Sequence, residues 1–503
     1  MHVTGTTDGH GEARVLTAIL SRAMQSPAIV LVGILALTVV VHIPGLTVWF
    51  QSDDFRYLAA VRHASAPTFV RQAFDFRDTS APAPGFLGHY RPLYLIGWLV
   101  RYRLFGLDAV AYQVLSLALH LAVVILTWWI ARRLSGRVLT AHLAALVMAL
   151  HPAFTRSVIW LAATGSDIEV TLGILVTLAV FLAYVDGGRR QRLVYAASVG
   201  FYAVALCLHP KAIPLVIVLA GVCCLRSERG LRELLRPTTL ALLAPFAVMA
   251  VAYAAIQQHV QRSNDFLQVL YGFGWNNPKD FLGYAAVAAA PLWRDVWYRG
   301  FFFYASNTYR VLLFGAIVTA DVAIGLVLLV RTRHRDAGIA LLATLWFVSM
   351  VAPLTSFKLG IVDRDLYVAG PAWALLVGLA GTWIADATRS RPALLRPLAG
   401  AALVAAIVLA SGWTIRYERD FRSEERNLET LVGQLQETYP ALAPGTQLYL
   451  VPESLDILRS APLLPYIITT YYPGVEGTLI TPEDAASREP SLSRTERIFR
   501  FRG

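Results

Sequence analysis

The chain has 503 residues, 56% of them hydrophobic and 15% charged, with a formal net charge of +11 and a mean hydropathy of +0.54. Soluble domains carry roughly 25% charged residues, so a soluble enzyme is excluded. The excess arginine sits in short loops between apolar runs, where membrane orientation requires it, so the charge makes no case for nucleic acid.

In chain order, residues 1–26 are polar and precede a full-length apolar run, which predicts a cytoplasmic tail and no cleavable signal. Hydropathy and length then predict about eleven spans, near 27–48, 109–131, 138–151, 165–185, 193–209, 211–226, 237–257, 309–330, 337–355, 366–386 and 397–415. The third is short and the sixth is marginal. Two long loops interrupt the series. The first, 51–108, contains RPLYLIGWLVRYRLFG, which reads as an interfacial helix; the second, 258–308, is rich in aromatics. Such segments lie at headgroup level, where they wall a lipid-facing groove or form a plain aromatic belt. Residues 416–503 read as a small outer domain, with an amphipathic helix, a strand in GTQLYLVPES and a terminal strand in RIFRFRG. Cys207, Cys223 and Cys224 all fall in apolar runs, so neither a disulfide framework nor a metal–thiolate site is expected.

Arginine sets the expected orientation. Arg132, Arg133 and Arg137 share one loop, and Arg189, Arg190 and Arg192 share the next alternate one. The series continues through Arg226–Arg236, Arg331–Arg335 and Arg389–Arg396, all predicted on the cytoplasmic side with the N-terminus. The loop after the first span and the C-terminal domain are then extracytoplasmic.

The first span runs directly into QSDDF. The pair Asp53-Asp54 at a membrane–water boundary is costly to desolvate and well placed to act on a substrate whose tail lies in lipid. Asp167 and Glu169, before the fourth span, are a second acidic set on the same side. Lys211 stands almost alone in the turn LHPKAIP, against the positive-inside bias, and Arg364 lies in IVDRDLY. His89, Tyr90 and Arg91 lead into the interfacial helix. Glycosyl transfer from a lipid-phosphate sugar needs this set: a carboxylate to take the acceptor's proton, and cations for the departing phosphate. His151 and His209 each precede a proline and read first as capping or packing residues. Asp363-Arg364-Asp365 spells D-x-D, but no soluble strand–helix domain surrounds it, and no glycine-rich nucleotide loop is present.

These residues resemble those of the GT-C superfamily of glycosyltransferases, which use polyprenyl- or dolichyl-phosphate sugars. The resemblance rests on Asp53-Asp54 after the first span, on His89 to Leu93 (HYRPL), and on His151-Pro152 with Ser157, Trp160 and Asp167. The last stretch is similar to a pattern in protein O-mannosyltransferase relatives. LHPKAIPL is similar to their Ser-Lys-Glu segment, with Ala212 in place of the Glu, and DRDLYVAGPAWALL to their Glu-Arg-Tyr-Leu-Tyr-Leu-Pro segment. A small domain stands where those relatives carry repeats. The resemblance implies that Asp53 or Asp54 is the base, with Asp53 preferred, and that Asp167 assists with metal or acceptor. Lys211 and Arg364 would hold the lipid phosphate, joined by Arg91. His89, Tyr90, Glu169, His151 and His209 are candidates for acceptor contact or support. A divalent metal, Mg²⁺ or Mn²⁺, is a candidate cofactor with Asp53, Asp54 and Asp167 as candidate ligands.

The expected protein is therefore an all-α polytopic membrane protein, GT-C-like, with a small C-terminal extracytoplasmic α/β domain. It would be an inverting hexosyltransferase of a bacterial-type inner membrane. A hexose, with mannose a candidate, would pass from a polyprenyl-phosphate carrier to a hydroxyl of a glycan, lipid or protein. The rival expectations are a lipid-linked-sugar transporter, which would show inverted repeats and interrupted mid-membrane helices, and a non-catalytic scaffold. Convergence of Asp53, Asp167 and Lys211 on one cavity would favour the enzyme.

Overall fold

The computed structural model describes residues 26–76, 89–187, 191–263, 334–358, 361–389, 395–452 and 464–501, with most of 271–290 and parts of 315–327. Helices dominate. Helix α1 (Pro27–Val41) leads through a short turn to α2 (Asp53–His63) and α3 (Ala66–Phe74). Next come α4 (Pro92–Phe105), α5 (Ala109–Ser135) and α6 (Val138–Leu150). They are followed by α7 (Val170–Gly187), α8 (Arg192–Leu208), α9 (Leu215–Arg226), α10 (Pro237–Arg262) and α11 (Asn276–Ala289). The bundle ends with α12 (His334–Val351), α13 (Gly370–Arg389) and α14 (Leu395–Thr438).

Among the described residues, seven helices are long and apolar enough to cross a membrane, or eight with one bent pair. The expectation of eleven is not reached, for identifiable reasons. Helix α8 has 17 residues and α9 has 12, short for a crossing at 1.5 Å per residue. The expected span at 309–330 lies largely outside the described residues. The short third span is the bent pair. Helix α6 stops at His151 because Pro152 has no N–H to continue the ladder, and Pro152–Ile159 leaves at 49°. The fourth span begins earlier than expected, at Leu161, because Thr164–Glu169 is wound as a π-helix that continues into α7.

Local chemistry fixes several ends. Asp108 caps α5 by accepting from the Val110 and Ala111 amides. Gly136 closes the same helix at φ 70°, a left-handed position that glycine takes without Cβ strain. Gly45 permits a close approach, since a Cβ there would meet Ile159 at 2.7 Å and Glu418 at 3.0 Å. Through it, Glu418 of α14 accepts from the Gly45 amide at 2.8 Å and pairs with His42 Nδ1 at 2.5 Å. The last span is thereby fastened to the end of the first.

The amphipathic segment expected to open a separate outer domain is the second half of α14, a single helix of 44 residues. Beyond it lies a three-stranded parallel sheet in the order β2-β1-β3, with β1 Gln447–Pro452, β2 Glu476–Leu479 and β3 Glu496–Phe501. Register runs Gln447 to Glu476 on one side and Gln447 to Glu496 on the other. Parallel neighbours need crossovers, which α15 (Leu464–Tyr471) and the helix Pro482–Arg488 supply.

Two cores result. One fills the helical bundle. The other joins α2, α3 and α4 to the C-terminal unit: Phe55, Leu58, Tyr94 and Trp98 share it with Leu431, Leu448, Leu450 and Ile467. The C-terminal unit therefore sits on the face where α1 ends.

Candidate active site

A cavity of about 550 Å³ opens where α1 gives way to α2. Ser52 turns the chain into it at φ 46°, the one positive value at a non-glycine residue among those described. This conformation costs energy for a residue with a Cβ and is found most often at functional sites. Asp53 follows and lines the cavity. Its nearest cation is Arg56, at 3.8 Å.

Asp54 parts from its neighbour. It is fully buried, accepting from the Gln51 amide at 3.0 Å and the Ala162 amide at 2.7 Å. Its carboxylate clamps the turn before α2 to the start of the fourth span. It is absent from the cavity lining, unlike Asp53.

Asp167 is likewise buried, beneath the cavity wall. Its Oδ1 receives Lys211 Nζ at 2.5 Å, and its Oδ2 receives Ser157 Oγ at 3.1 Å and Arg364 at 3.2 Å. Lys211 also donates to Asp365 Oδ1 at 2.8 Å. The Arg364 guanidinium lies over the Trp160 ring at 4.6 Å. Lys211, Arg364 and Asp365 all line the cavity. Asp167 is thus an anchor for two cations. With Asp54 bound to amides and Asp167 filled by cations, the metal set of Asp53, Asp54 and Asp167 does not assemble. Among the described residues no three His, Cys, Asp or Glu side chains converge as metal ligands.

Arg91 completes the cationic wall. It is buried, donates to the Tyr57 hydroxyl and lies over the Tyr94 ring at 4.2 Å. The Nε of Arg91 and that of Arg364 are both buried with no acceptor among the described residues.

The two cavity histidines are neutral. Burial, then the charges of Arg91 and Lys211, push His89 down to about 3. Burial, then Lys211 and His89, hold His209 well below the usual histidine range. Their tautomers follow from their partners. The Tyr90 amide donates to Gln257 Oε1 at 2.8 Å, so the Gln257 amide nitrogen faces His89 Nδ1, at 3.2 Å. That nitrogen accepts, and Nε2–H donates to the Tyr271 hydroxyl at 3.1 Å. His209 Nδ1 accepts from the Lys211 amide at 3.2 Å, which leaves its proton on Nε2.

The other expected residues lie elsewhere. The Tyr90 hydroxyl bonds to the Phe74 carbonyl at 3.3 Å, outside the cavity. Glu169 pairs with Arg101 of α4. His151 contacts the Ala288 carbonyl at 2.9 Å and stacks on Phe154. These three serve as packing and fastening groups.

Sequence reasoning missed Asp365, Gln257 and Tyr271. Asp365 was visible in the D-x-D triplet, which was set aside for want of a nucleotide-binding domain. Tyr271 belongs to the aromatic second loop, most of which lies outside the described residues, and Gln257 carried no charge or motif to mark it.

No family model matches the chain, and comparison with curated proteins finds no match. Solved structures do match. ArnT from Cupriavidus metallidurans, bound to undecaprenyl phosphate, is 16% identical with a TM-score of 0.50, over 92% of this chain and 95% of that one. The fold is similar to that of GT-C glycosyltransferases. The apo oligosaccharyltransferase of Archaeoglobus fulgidus is 14% identical with a TM-score of 0.50, over 90% of this chain. The match takes in 64% of that protein, so the chain spans about two thirds of its length. The same oligosaccharyltransferase, AglB, with an inhibitory peptide and a dolichol-phosphate, gives 14% identity and a TM-score of 0.49 over 89% of this chain and 64% of that one.

Proposed function

We propose that the chain is an inverting glycosyltransferase that moves a hexose from a polyprenyl-phosphate carrier to an acceptor hydroxyl. The observation that carries this reading is a single cavity in which the Asp53 carboxylate faces Arg91, Lys211 and Arg364. The GT-C-like fold supports it, as does the undecaprenyl phosphate bound to the similarly folded ArnT.

In this reading the lipid phosphate lies against Arg91, Lys211 and Arg364. The acceptor hydroxyl approaches from the opposite side of the sugar, next to Asp53. Asp53 takes the hydroxyl proton as the acceptor oxygen bonds to C1. The bond between C1 and the phosphate oxygen breaks with its electron pair on phosphate, and C1 inverts. Polyprenyl phosphate leaves as an anion, so no general acid is needed, and the cations stabilise the charge it gains. Asp167, shared between Lys211 and Arg364, fixes where that positive charge stands.

The arginine-rich loops support a cytoplasmic N-terminus and an extracytoplasmic C-terminal unit. An impermeant thiol reagent should then label a Ser487→Cys protein in intact cells, and protection would reverse the orientation. The activity itself is tested with purified protein in lipid nanodiscs, polyprenyl-phosphate hexoses and candidate acceptors. Mass spectrometry should detect free polyprenyl phosphate and glycosylated acceptor in equal amounts. Tight binding of the donor without turnover against every acceptor class would favour a transporter.

A further inference from the structure

The C-terminal unit packs behind the cavity, against the helix that carries Asp53. Helix α15 packs along α2, the helix that Asp53 opens. Thr470 Oγ1, which donates to the Tyr466 carbonyl at 2.7 Å, lies 3.3 Å from the Phe55 carbonyl, Arg62 donates to the Thr470 carbonyl, and His63 Nε2 lies 2.9 Å from the Thr469 carbonyl. One turn up α15, Tyr466 places its ring beneath the Arg56 guanidinium, whose Cζ is 4.9 Å from the ring centroid. Arg56 follows Asp53 by three residues, and its NH1 stands 3.8 Å from Asp53 Oδ1.

That distance has a chemical meaning. At 3.8 Å the guanidinium is beyond hydrogen-bond range but still attracts the carboxylate. An arginine three residues along a helix, free to move, would close on its acid and donate to it. A carboxylate whose lone pairs are occupied in this way is a poor acceptor for a substrate proton. The ring's negative face holds the guanidinium back. The buried Arg56 Nε has no acceptor among the described residues, so no hydrogen bond at that atom does the holding instead.

We propose that Tyr466 is a positioning residue: through Arg56 it orients Asp53 and keeps the carboxylate open to the acceptor. The small C-terminal domain is then part of the catalytic apparatus, acting on the base from outside the membrane bundle. This rests on the reading of Asp53 as the base.

The test is a double-mutant cycle on purified full-length protein, with a polyprenyl-phosphate hexose as donor. Tyr466→Leu should lower kcat about three- to tenfold with the donor KM unchanged. Tyr466→Phe keeps the ring and should restore wild-type kcat. Arg56→Gln removes the guanidinium that would close on Asp53, so its kcat should stay near wild type, and adding Tyr466→Leu to it should cost nothing more. An equal loss from Tyr466→Leu with and without Arg56 would mean that the ring only packs, and the proposal would fall. Should Tyr466→Leu fail to fold, a tenfold loss of kcat in Arg56→Gln overturns it alone. Asp53→Asn is run in parallel. If that variant turns over normally, the base assignment is wrong; if it is inactive while Tyr466→Leu matches wild type, only the present inference fails.

Discussion

Both ends of the helical bundle carry clusters of arginine and aspartate, and the two clusters are built differently. At the end away from the cavity, Asp186 is shared by Arg133 at 2.7 Å and Arg226 at 3.1 Å, which ties α5, α7 and α9 together. Arg137 there bridges Asp386 of α13 and Asp336 of α12. Each of these charges has its counter-charge on a neighbouring helix. At the other end Lys211 and Arg364 are also paired, but the pairs border a cavity. The same residue types make a staple where they pair between packed helices and a candidate binding site where the paired cations line a void.

The sharpest way to break this comparison is at Asp53. Asp53→Asn is close to isosteric and cannot accept the acceptor's proton. Loss of a general base typically costs about 10²–10⁴ in rate. Turnover of a polyprenyl-phosphate hexose should fall by that factor while the melting temperature stays put. A variant as fast as wild type would reduce the cavity end to another staple.

The cations come next. Lys211→Ala and Arg364→Ala each remove a charge-assisted hydrogen bond to phosphate worth about 1.5–3 kcal/mol, or roughly ten- to a hundredfold in use of limiting donor. Each also strands part of the buried Asp167 carboxylate, so folding is checked by gel filtration in the same preparation. Unchanged donor kinetics in a folded variant would remove the phosphate from this wall.

The neutral histidines give a smaller effect, on stability. Folded His89 stays neutral down to about pH 3, whereas the unfolded chain protonates it near its ordinary value of 6.5. Its contribution is therefore complete above pH 6.5 and is lost as the pH falls towards 3. Between pH 6.5 and pH 5 the linkage amounts to about 2 kcal/mol. Thermal unfolding should weaken over that interval, and His89→Gln should flatten the dependence. An equally steep slope in His89→Gln would show that His89 is not what titrates.

How much of this was legible in the sequence depends on which force did the placing. Apolar length and arginine alternation revealed the bundle, because the bilayer imposes both on the chain directly. Asp53, Lys211, Arg364 and Arg91 were legible because a charge at a membrane boundary has few idle explanations. The separation of Asp53 from Asp54 was not, since it depends on the Ser52 turn and on an amide of Ala162, more than a hundred residues away. Asp167 was legible as a charge, but its place beneath the cavity wall was not: that is set by how the π-helix Thr164–Glu169 winds, which no local pattern announced. Asp365 was dismissed because its motif was judged by a soluble fold that is not present. The span count erred where helices are too short or bent, at Pro152 and in α8 and α9, because hydropathy measures composition and does not measure geometry.

The smallest effect comes from the other half of the comparison. Arg137 joins Asp386 and Asp336 across three helices, and its side chain is 29% exposed. Water screens such pairs, and exposed ion pairs contribute about 0.2–1 kcal/mol each. Arg137→Ala should therefore lower stability by about 1 kcal/mol, read as an earlier thermal transition in detergent. The donor KM and kcat should stay within about twofold of wild type, because nothing at this end touches the cavity. That outcome separates a cluster that ties helices from one that lines a cavity by its effect on rate rather than by its composition. A loss of turnover in Arg137→Ala without loss of fold would show that the two ends are mechanically linked through the bundle, and that the staple is part of the site.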